Sequence, residues 1–347
     1  MKALRNSAFI VLLAFSWLRA GGRHAGAALE LGVGARPLAL GTAAGAMGGT
    51  GETFFYNPAS LGLLKSTRFN LMYAPTFGSL FTPMANYNYF GFAYPMPGGG
   101  VLSINWTRFA VDDIPVYPEL KGKSYSERNA DLELRPSGTA LGFIEDTEDV
   151  FYFSFAKTLE SIFPLGWWYG DLPITLPIGV NFKLIRQVLG EASASGMGID
   201  VGTLLRFNFG TLVHQRELGD LSFGFTVRDL TKTPIVWNTR HQDRIERSYL
   251  FGMAYEQPIL RGIALNFYYS LQKKYEMTPF YGAELIAKAI SLRVGRNEVG
   301  LTAGAGFHWR YLNVDYAYVT NAFEDVHRLS CSVEIAKRKT AQADNNP

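Results

Sequence analysis

The sequence predicts an all-β fold, a transmembrane antiparallel β-barrel of about 14 strands. Two observations indicate it: apolar and polar residues alternate along most of the chain, and the composition is poor in charge. Charged residues make up 18% and aromatic residues 14% of the 347 positions, with 36 glycines. Soluble chains of this size usually carry more charge, whereas aromatic residues and glycines are typical of strands and turns.

The alternation has a period of two, which is the signature of a strand with two different faces. In "IALNFYYSLQ", residues 263–272, the odd positions are apolar or aromatic, and most even positions are small or polar. A soluble β-sandwich also alternates, but its polar face needs many charges; here that face is mostly Gly, Ala, Ser, Thr and Asn. Fourteen such runs occur, at 66–75, 87–95, 100–109, 148–157, 173–188, 196–207, 219–229, 247–256, 260–272, 278–287, 289–296, 298–309, 311–319 and 327–335.

Run length and connection length favour an outer-membrane barrel of a Gram-negative bacterium. Most runs are near the ~9–11 residues that a tilted strand needs to cross a bilayer, and their even number places both termini in the periplasm. Long connections at 110–147 and 230–246 alternate with tight ones such as 95–100 and 310–311. The connection 158–172 departs from this pattern, and we expect its Phe163, Trp167 and Trp168 to lie at the inner membrane interface.

The ends of the chain divide into separate segments. Lys2 and Arg5 precede an apolar run and the small residues Ala25-Gly26-Ala27, an order that predicts a signal peptide over residues 1–27. The run is too short for a membrane-spanning helix. We therefore expect an N-terminal segment at 28–65, a barrel at 66–335 and a polar tail at 336–347.

An ordered set of motifs resembles a known family. "GARPLALG" (34–41), "FFYNPASL" (54–61), "GIDVGTLLRF" (198–207), "TPIVWNT" (233–239) and "LRVGRNEVGLTAGAGF" (292–307) are similar to segments of the PorV/PorQ-type outer-membrane proteins, relatives of the FadL long-chain fatty acid transporters. The resemblance implies that residues 28–65 fold inside the lumen as a small helical plug. It also implies passive uptake of small hydrophobic compounds. The alternatives are a PorV-like role in type IX protein secretion and a structural barrel without transported ligand.

Four residues of the N-terminal segment are candidates for holding this plug: Arg36, Pro37, Asn57 and Pro58. Asn57 before Pro58 is a favourable helix start, and Pro37 predicts a second helix through "LALGTAAGAM". Arg36 needs a partner if it is buried, and the candidates are Asp200, Glu256, Glu284 and Asp315. The full set of charged residues predicted to face the lumen is Asp200, Arg206, Arg228, Glu256, Glu284, Arg293 and Asp315.

Signatures of other functions are weak in this sequence. The five histidines have no metal-ligand spacing, and no Ser-His-Asp or paired-carboxylate pattern stands out. We therefore expect no enzyme, cofactor or metal site. The net charge of +3 is scattered, which disfavours nucleic acid as a partner. The expected partners are outer-membrane lipid, a hydrophobic small molecule and, in the alternative role, secretion-system proteins.

Overall fold

The computed structural model describes residues 26–79, 82–117, 124–130, 140–166, 170–320 and 325–335. Apart from Gly26 and Ala27, the predicted signal peptide lies outside these residues, and so does the polar tail. The sixteen strands of the described part are β1 (Thr67–Ser79), β2 (Thr82–Pro95), β3 (Gly100–Val116), β4 (Gly142–Pro164), β5 (Asp171–Leu189), β6 (Ala192–Asn208), β7 (Asp220–Arg228), β8 (Pro234–Trp237), β9 (Gln242–Arg244), β10 (Ser248–Leu260), β11 (Ile263–Lys273), β12 (Met277–Ala287), β13 (Ile290–Arg296), β14 (Leu301–Trp309), β15 (Leu312–Val319) and β16 (Val326–Ile335).

Fourteen of these strands form a closed antiparallel barrel. β1 pairs with both β2 and β16, so the sheet has no free edge there. β7 pairs with β10, and the short β8–β9 hairpin between them attaches to β6 instead. The barrel and its strand number are confirmed, and each of the fourteen predicted runs overlaps one barrel strand.

Strand length differs from the prediction on one side of the barrel. β3, β4, β5 and β6 contain 17, 23, 19 and 17 residues, because neighbouring strands continue to pair beyond the expected span. The connection 158–172 is consequently mostly strand, and Phe163 pairs with Leu172. Phe163 is exposed, whereas Trp167 and Trp168 lie outside the described residues.

The helices are short and lie mainly before the barrel. Three are 3₁₀-helices, η1 (Ala27–Glu30), η2 (Gly51–Phe55) and η3 (Pro58–Leu63), and three are α-helices, α1 (Ala35–Ala39), α2 (Tyr125–Ala130) and α3 (Phe209–Val213). None of the helices in the described ranges is long and apolar enough to cross a membrane.

The chain enters the barrel at one end and leaves at the other. We call the end where β1 begins and β16 finishes the lower end, and the opposite end the upper end. Glu30 accepts an ion-pair bond of 2.5 Å from Lys274, in the upper connection between β11 and β12. Gly26 and Ile335, the first and last described residues, therefore lie at opposite ends. The chain crosses the lumen before β1 starts, and the expectation that both termini lie in the periplasm stays a prediction.

The two faces of the wall differ as the alternation predicts. On β11, Phe267 points outward with 49% of its surface exposed, while Asn266 and Ser270 point inward and are buried. The same contrast recurs around the barrel, where most exposed large apolar residues lie on the strands. The buried core is the lumen itself, filled in part by residues that precede β1.

Candidate functional site

The candidate site is the stretch of residues 26–66, called here the inner segment, together with the wall that it contacts. Its first helix, α1, covers only Ala35–Ala39, so the predicted helix through "LALGTAAGAM" is wrong in extent. Gly41 has a positive φ of 65° and Thr42 one of 64°, and these conformations end the helix. A Cβ atom on Gly41 would overlap the backbone of Arg296, so this turn lies directly on the wall.

Six wall glycines receive the inner segment, and we call them the glycine seat. For each of these described glycines, the atom nearest to an added Cβ atom would belong to the inner segment, at less than 3.0 Å. On β6, for example, the Cβ of an alanine at Gly202 would overlap the side chain of Asn57, and on β10 one at Gly252 would overlap the backbone of Gly45. Glycine is required here because two backbones approach without space for a side chain. The members are Gly179, Gly202, Gly224, Gly252, Gly282 and Gly295.

Small polar side chains of the wall bond to the backbone of the inner segment. Ser330 Oγ accepts from the Ala35 N–H at 2.8 Å, and Ser270 Oγ accepts from the Gly45 N–H at 3.0 Å. Other wall side chains donate to its carbonyls: Thr302 to Ala39 at 2.9 Å, Asn181 to Phe54 at 3.0 Å and Thr158 to Gly62 at 2.7 Å. An irregular buried backbone needs such partners. The small polar lumen face therefore matches this segment.

Asn57 joins the inner segment to itself and to the wall. Its Oδ1 accepts from the Ala59 N–H at 3.0 Å and so caps η3, in which Pro58 is the first residue. Its Nδ2 donates to the carbonyls of Gly45 at 2.9 Å and of Thr203, on β6, at 3.0 Å. The sequence indicates only the cap, whereas the two donated bonds depend on how the segment is folded back on the wall.

Arg36 is held by a buried chain of charges. It donates to both carboxylate oxygens of Glu284, at 3.0 and 2.7 Å. Glu284, with 1% of its surface exposed, also accepts from Arg293 at 2.7 Å, and Arg293 donates to Asp315 at 2.6 Å. Of the four carboxylates left open by the sequence, Glu284 is the one that pairs with Arg36. We call these four residues the Arg36 network, in which two cations balance two anions.

The other charges predicted to face the lumen lie in separate groups. Asp200 pairs with Lys183 at 2.8 Å, and Lys183 also pairs with Asp229 at 2.6 Å. Sequence reasoning did not select Lys183 or Asp229, although Lys183 lies on the same alternating face of β5 as Asn181. This cluster fixes the start of the connection that carries the β8–β9 hairpin.

Two predicted arginines have different surroundings. Arg206, close to the lower end, pairs with Asp220 and Glu256, each at 2.7 Å. Arg228, at the upper end of β7, instead lies over the rings of Phe55 and Tyr56, with 5.4 and 5.9 Å to the ring centres.

Glu52 is a buried acid that sequence reasoning did not select. Its side chain packs on Gly34, and 4% of its surface is exposed. Burial, together with the charge of Asp315, raises the pKa of Glu52 to about 7 against the lowering effect of Arg36, Arg68 and Arg293. The charge of the inner segment therefore changes near neutral pH.

No group of three or more metal-ligating side chains occurs within the described ranges. The arrangement holds a segment of chain by charge, by hydrogen bonds and by close backbone contact.

Comparison with known proteins gives a likeness of fold only. No protein-family model and no curated protein matches the sequence. Among solved structures, the chain is similar to a deltaS2S3 mutant of the TodX monoaromatic hydrocarbon channel, with a TM-score of 0.52 and 8% identity over 87% of this chain and 98% of that chain. The P. putida toluene transporter TodX gives a TM-score of 0.47 and 9% identity over 88% of this chain and 99% of that chain. The first likeness shows a shared barrel fold, and the resemblance to PorV/PorQ-type sequences stays a prediction.

Proposed function

We propose that the protein is an outer-membrane barrel for passive uptake of small hydrophobic compounds, with the inner segment as its plug. In this proposal Arg36, Pro37, Asn57 and Pro58 hold the plug in place. The observation that carries the proposal is the match between the inner segment and the wall. The glycine seat, the small polar residues of the wall and the Arg36 network all contact this one segment.

The outer surface supports a membrane location. Large apolar side chains remain exposed on the outward faces of successive strands, among them Leu71, Phe153 and Leu292. Soluble monomers rarely expose contiguous apolar areas of this extent. A closed sheet satisfies its own backbone hydrogen bonds, as a lipid environment demands.

The way the inner segment is attached supports a plug that can move. The segment contributes no strand to the barrel, since β1 closes directly on β16. Displacement of the segment would break its contacts with the wall, but the backbone hydrogen bonds between the barrel strands would remain. The fold shared with a monoaromatic hydrocarbon channel supports small hydrophobic compounds as the transported class.

Planar-bilayer conductance tests the plug, and toluene entry into vesicles tests the transported class. We expect the wild type to conduct little and a deletion of residues 34–64 to open a measurable current, because the deletion empties the middle of the lumen. Toluene flux should exceed that of protein-free vesicles and rise further in the deletion variant. An inserted deletion variant that stays silent and passes no toluene would favour a structural barrel.

A role in protein export would use the connection 110–147. Residues 118–123 and 131–139 of that connection lie outside the described part, and no contact of the described residues favours export. We therefore propose uptake alone.

A further inference from the structure

Two arginines in the lumen face aromatic rings where other buried cations face carboxylates. Arg328, on β16, has 4% of its surface exposed and lies over the ring of Tyr87 at 5.6 Å. Arg228 lies over Phe55 and Tyr56. Within the described ranges, neither arginine forms an ion pair. By contrast, Arg36 and Lys183 have carboxylate oxygens at 2.6–2.8 Å.

The guanidinium groups also keep unused donors. Nε and Nη1 of Arg328, and Nε of Arg228, are buried without a hydrogen-bond partner among the residues that the structure describes. A buried cation without an anion is strongly unfavourable, and cation–π contact offsets only part of that cost. An anion from outside the chain would supply the partner that both side chains lack among the described residues.

Tyr56 brings the two arginines to one place. Its ring lies beside Arg228, at 5.9 Å from the guanidinium to the ring centre. Its hydroxyl bonds to Val33, and the N–H of Ala35, two residues on, donates to Ser330, which lies two positions from Arg328 on the same face of β16. The Tyr56 hydroxyl is fixed by the backbone of Val33, donating to its carbonyl at 3.1 Å and accepting from its N–H at 3.2 Å. The acid beside Tyr87 is Glu148, which accepts from Gln187 at 2.7 Å and does not neutralise either arginine.

We propose that Arg228 and Arg328 bind the carboxylate of a small aromatic acid, whose ring packs on Phe55 and Tyr87. Guanidinium groups recognise carboxylates through paired N–H donors. Aromatic side chains pack on a ring by offset stacking or edge-to-face contact. The inference rests on the proposed uptake function and names a class of compound for it, an aromatic ring with one negative group.

Calorimetric titration of the full folded barrel with sodium benzoate tests this site. Benzyl alcohol serves as the neutral probe of similar shape, and sodium acetate as the anion without a ring. We expect benzoate to bind at least tenfold more tightly than either. Arg328→Gln and Arg228→Gln should each weaken benzoate binding at least tenfold, as loss of a charged hydrogen bond implies. Arg261→Gln, an exposed arginine in the turn after β10, is the matched control and should bind as the wild type does.

The outcomes separate this site from the uptake function. Benzoate binding that is unchanged in both Arg228→Gln and Arg328→Gln overturns the site. Two variants are used so that the test still stands if one of them does not fold. Acetate binding as tightly as benzoate overturns the aromatic part. Toluene flux into vesicles should persist in both variants, because toluene carries no charge. If the wild type and the deletion variant both pass no toluene while benzoate binding still needs Arg328, the uptake function fails and the site stands.

Discussion

Arg36 and Glu284 form a two-bonded ion pair inside the barrel, at 3.0 and 2.7 Å, although 248 positions separate them in the chain. Glu284 is shared with Arg293, which in turn binds Asp315. Loss of Arg36 leaves Glu284 paired with Arg293, whereas loss of the Glu284 charge leaves Arg36 and Arg293 with Asp315 as the one anion of the Arg36 network. We therefore expect substitution of Glu284 to destabilise the protein more than substitution of Arg36.

Arg36→Ala should release the inner segment and raise planar-bilayer conductance, while Glu284→Gln should also lower barrel stability. Breaking a buried pair so that a charge is uncompensated costs about 3–5 kcal/mol of folding free energy. We expect Glu284→Gln to lose more of this free energy than Arg36→Ala, because Glu284 is the partner of two arginines. Conductance and urea unfolding in detergent would measure the two effects. A closed Arg36→Ala channel with unchanged hydrogen exchange over residues 34–64 would contradict this prediction.

Asn57→Ala should loosen the plug more than the loss of an ordinary helix cap. A cap is worth roughly 1 kcal/mol, but the Gly45 and Thr203 carbonyls also lose their donor, at about 1–3 kcal/mol for each buried group. Asn57→Asp keeps an oxygen for the cap and removes the two donated bonds, so it separates the two contributions. Asn208→Ala is the comparison nearer the surface, because Asn208 caps α3 by accepting from Thr211 at 2.9 Å and also donates to Asp220 at 3.0 Å. Wild-type hydrogen exchange of η3 and the rest of the inner segment in Asn57→Asp would show that the cap alone matters.

Gly202→Ala and Gly252→Ala should displace the inner segment while the barrel still forms. The added methyl group meets Asn57 or the Gly45 backbone, and the strand itself tolerates alanine. Gly142→Ala is the matched control, since no atom lies within 4 Å of the position of its Cβ. Heat-modifiable gel mobility reports the barrel, and hydrogen exchange over residues 40–60 reports the segment. Full protection of residues 40–60 in both seat variants would refute the importance of the seat.

Phe267→Arg should reduce insertion into lipid vesicles more than Asn313→Arg. An arginine on the lipid face near mid-depth costs about 2–4 kcal/mol, whereas the Asn313 side chain faces inward and bonds to Ser332 at 3.1 Å. Leu265→Arg and Val314→Arg should behave like Phe267→Arg, with Asn266→Arg as a second inward comparison. Similar folded yields for the two faces would mean that the outward face does not meet lipid as proposed.

Raising the pH through about 7 should loosen the inner segment, because that is the folded-state pKa of Glu52. Burial raises this pKa above its ordinary value of 4.5, so the seated form binds the proton more tightly than a released one. The resulting stabilisation is complete below pH 4.5 and is lost as the pH rises through about 7. Conductance should increase between pH 5 and 8 in the wild type and stay flat in Glu52→Gln. A pH response that persists in Glu52→Gln would assign it to another group.

The wall of the barrel could be predicted from the sequence alone. Period-two alternation is a local property, because successive side chains of a strand point to opposite faces whatever the strand pairs with. It therefore gave the strand number and, at Phe267 and Asn266, the outward and inward positions. The alternation did not predict the lengths of β3 to β6, because a strand extends for as long as its neighbour continues to pair with it.

The contacts inside the barrel could not be predicted in this way, because they depend on how the whole chain folds. Four carboxylates are predicted to point inward, and their local sequences do not show which of them pairs with Arg36. They are Asp200, Glu256, Glu284 and Asp315. The choice of Glu284 depends on the register accumulated across the strands and on the path of the inner segment through the lumen. The same two conditions place Asn57 against Thr203 and leave Arg228 and Arg328 facing rings. Contacts between distant parts of the chain are fixed only when the barrel closes around the segment that it holds.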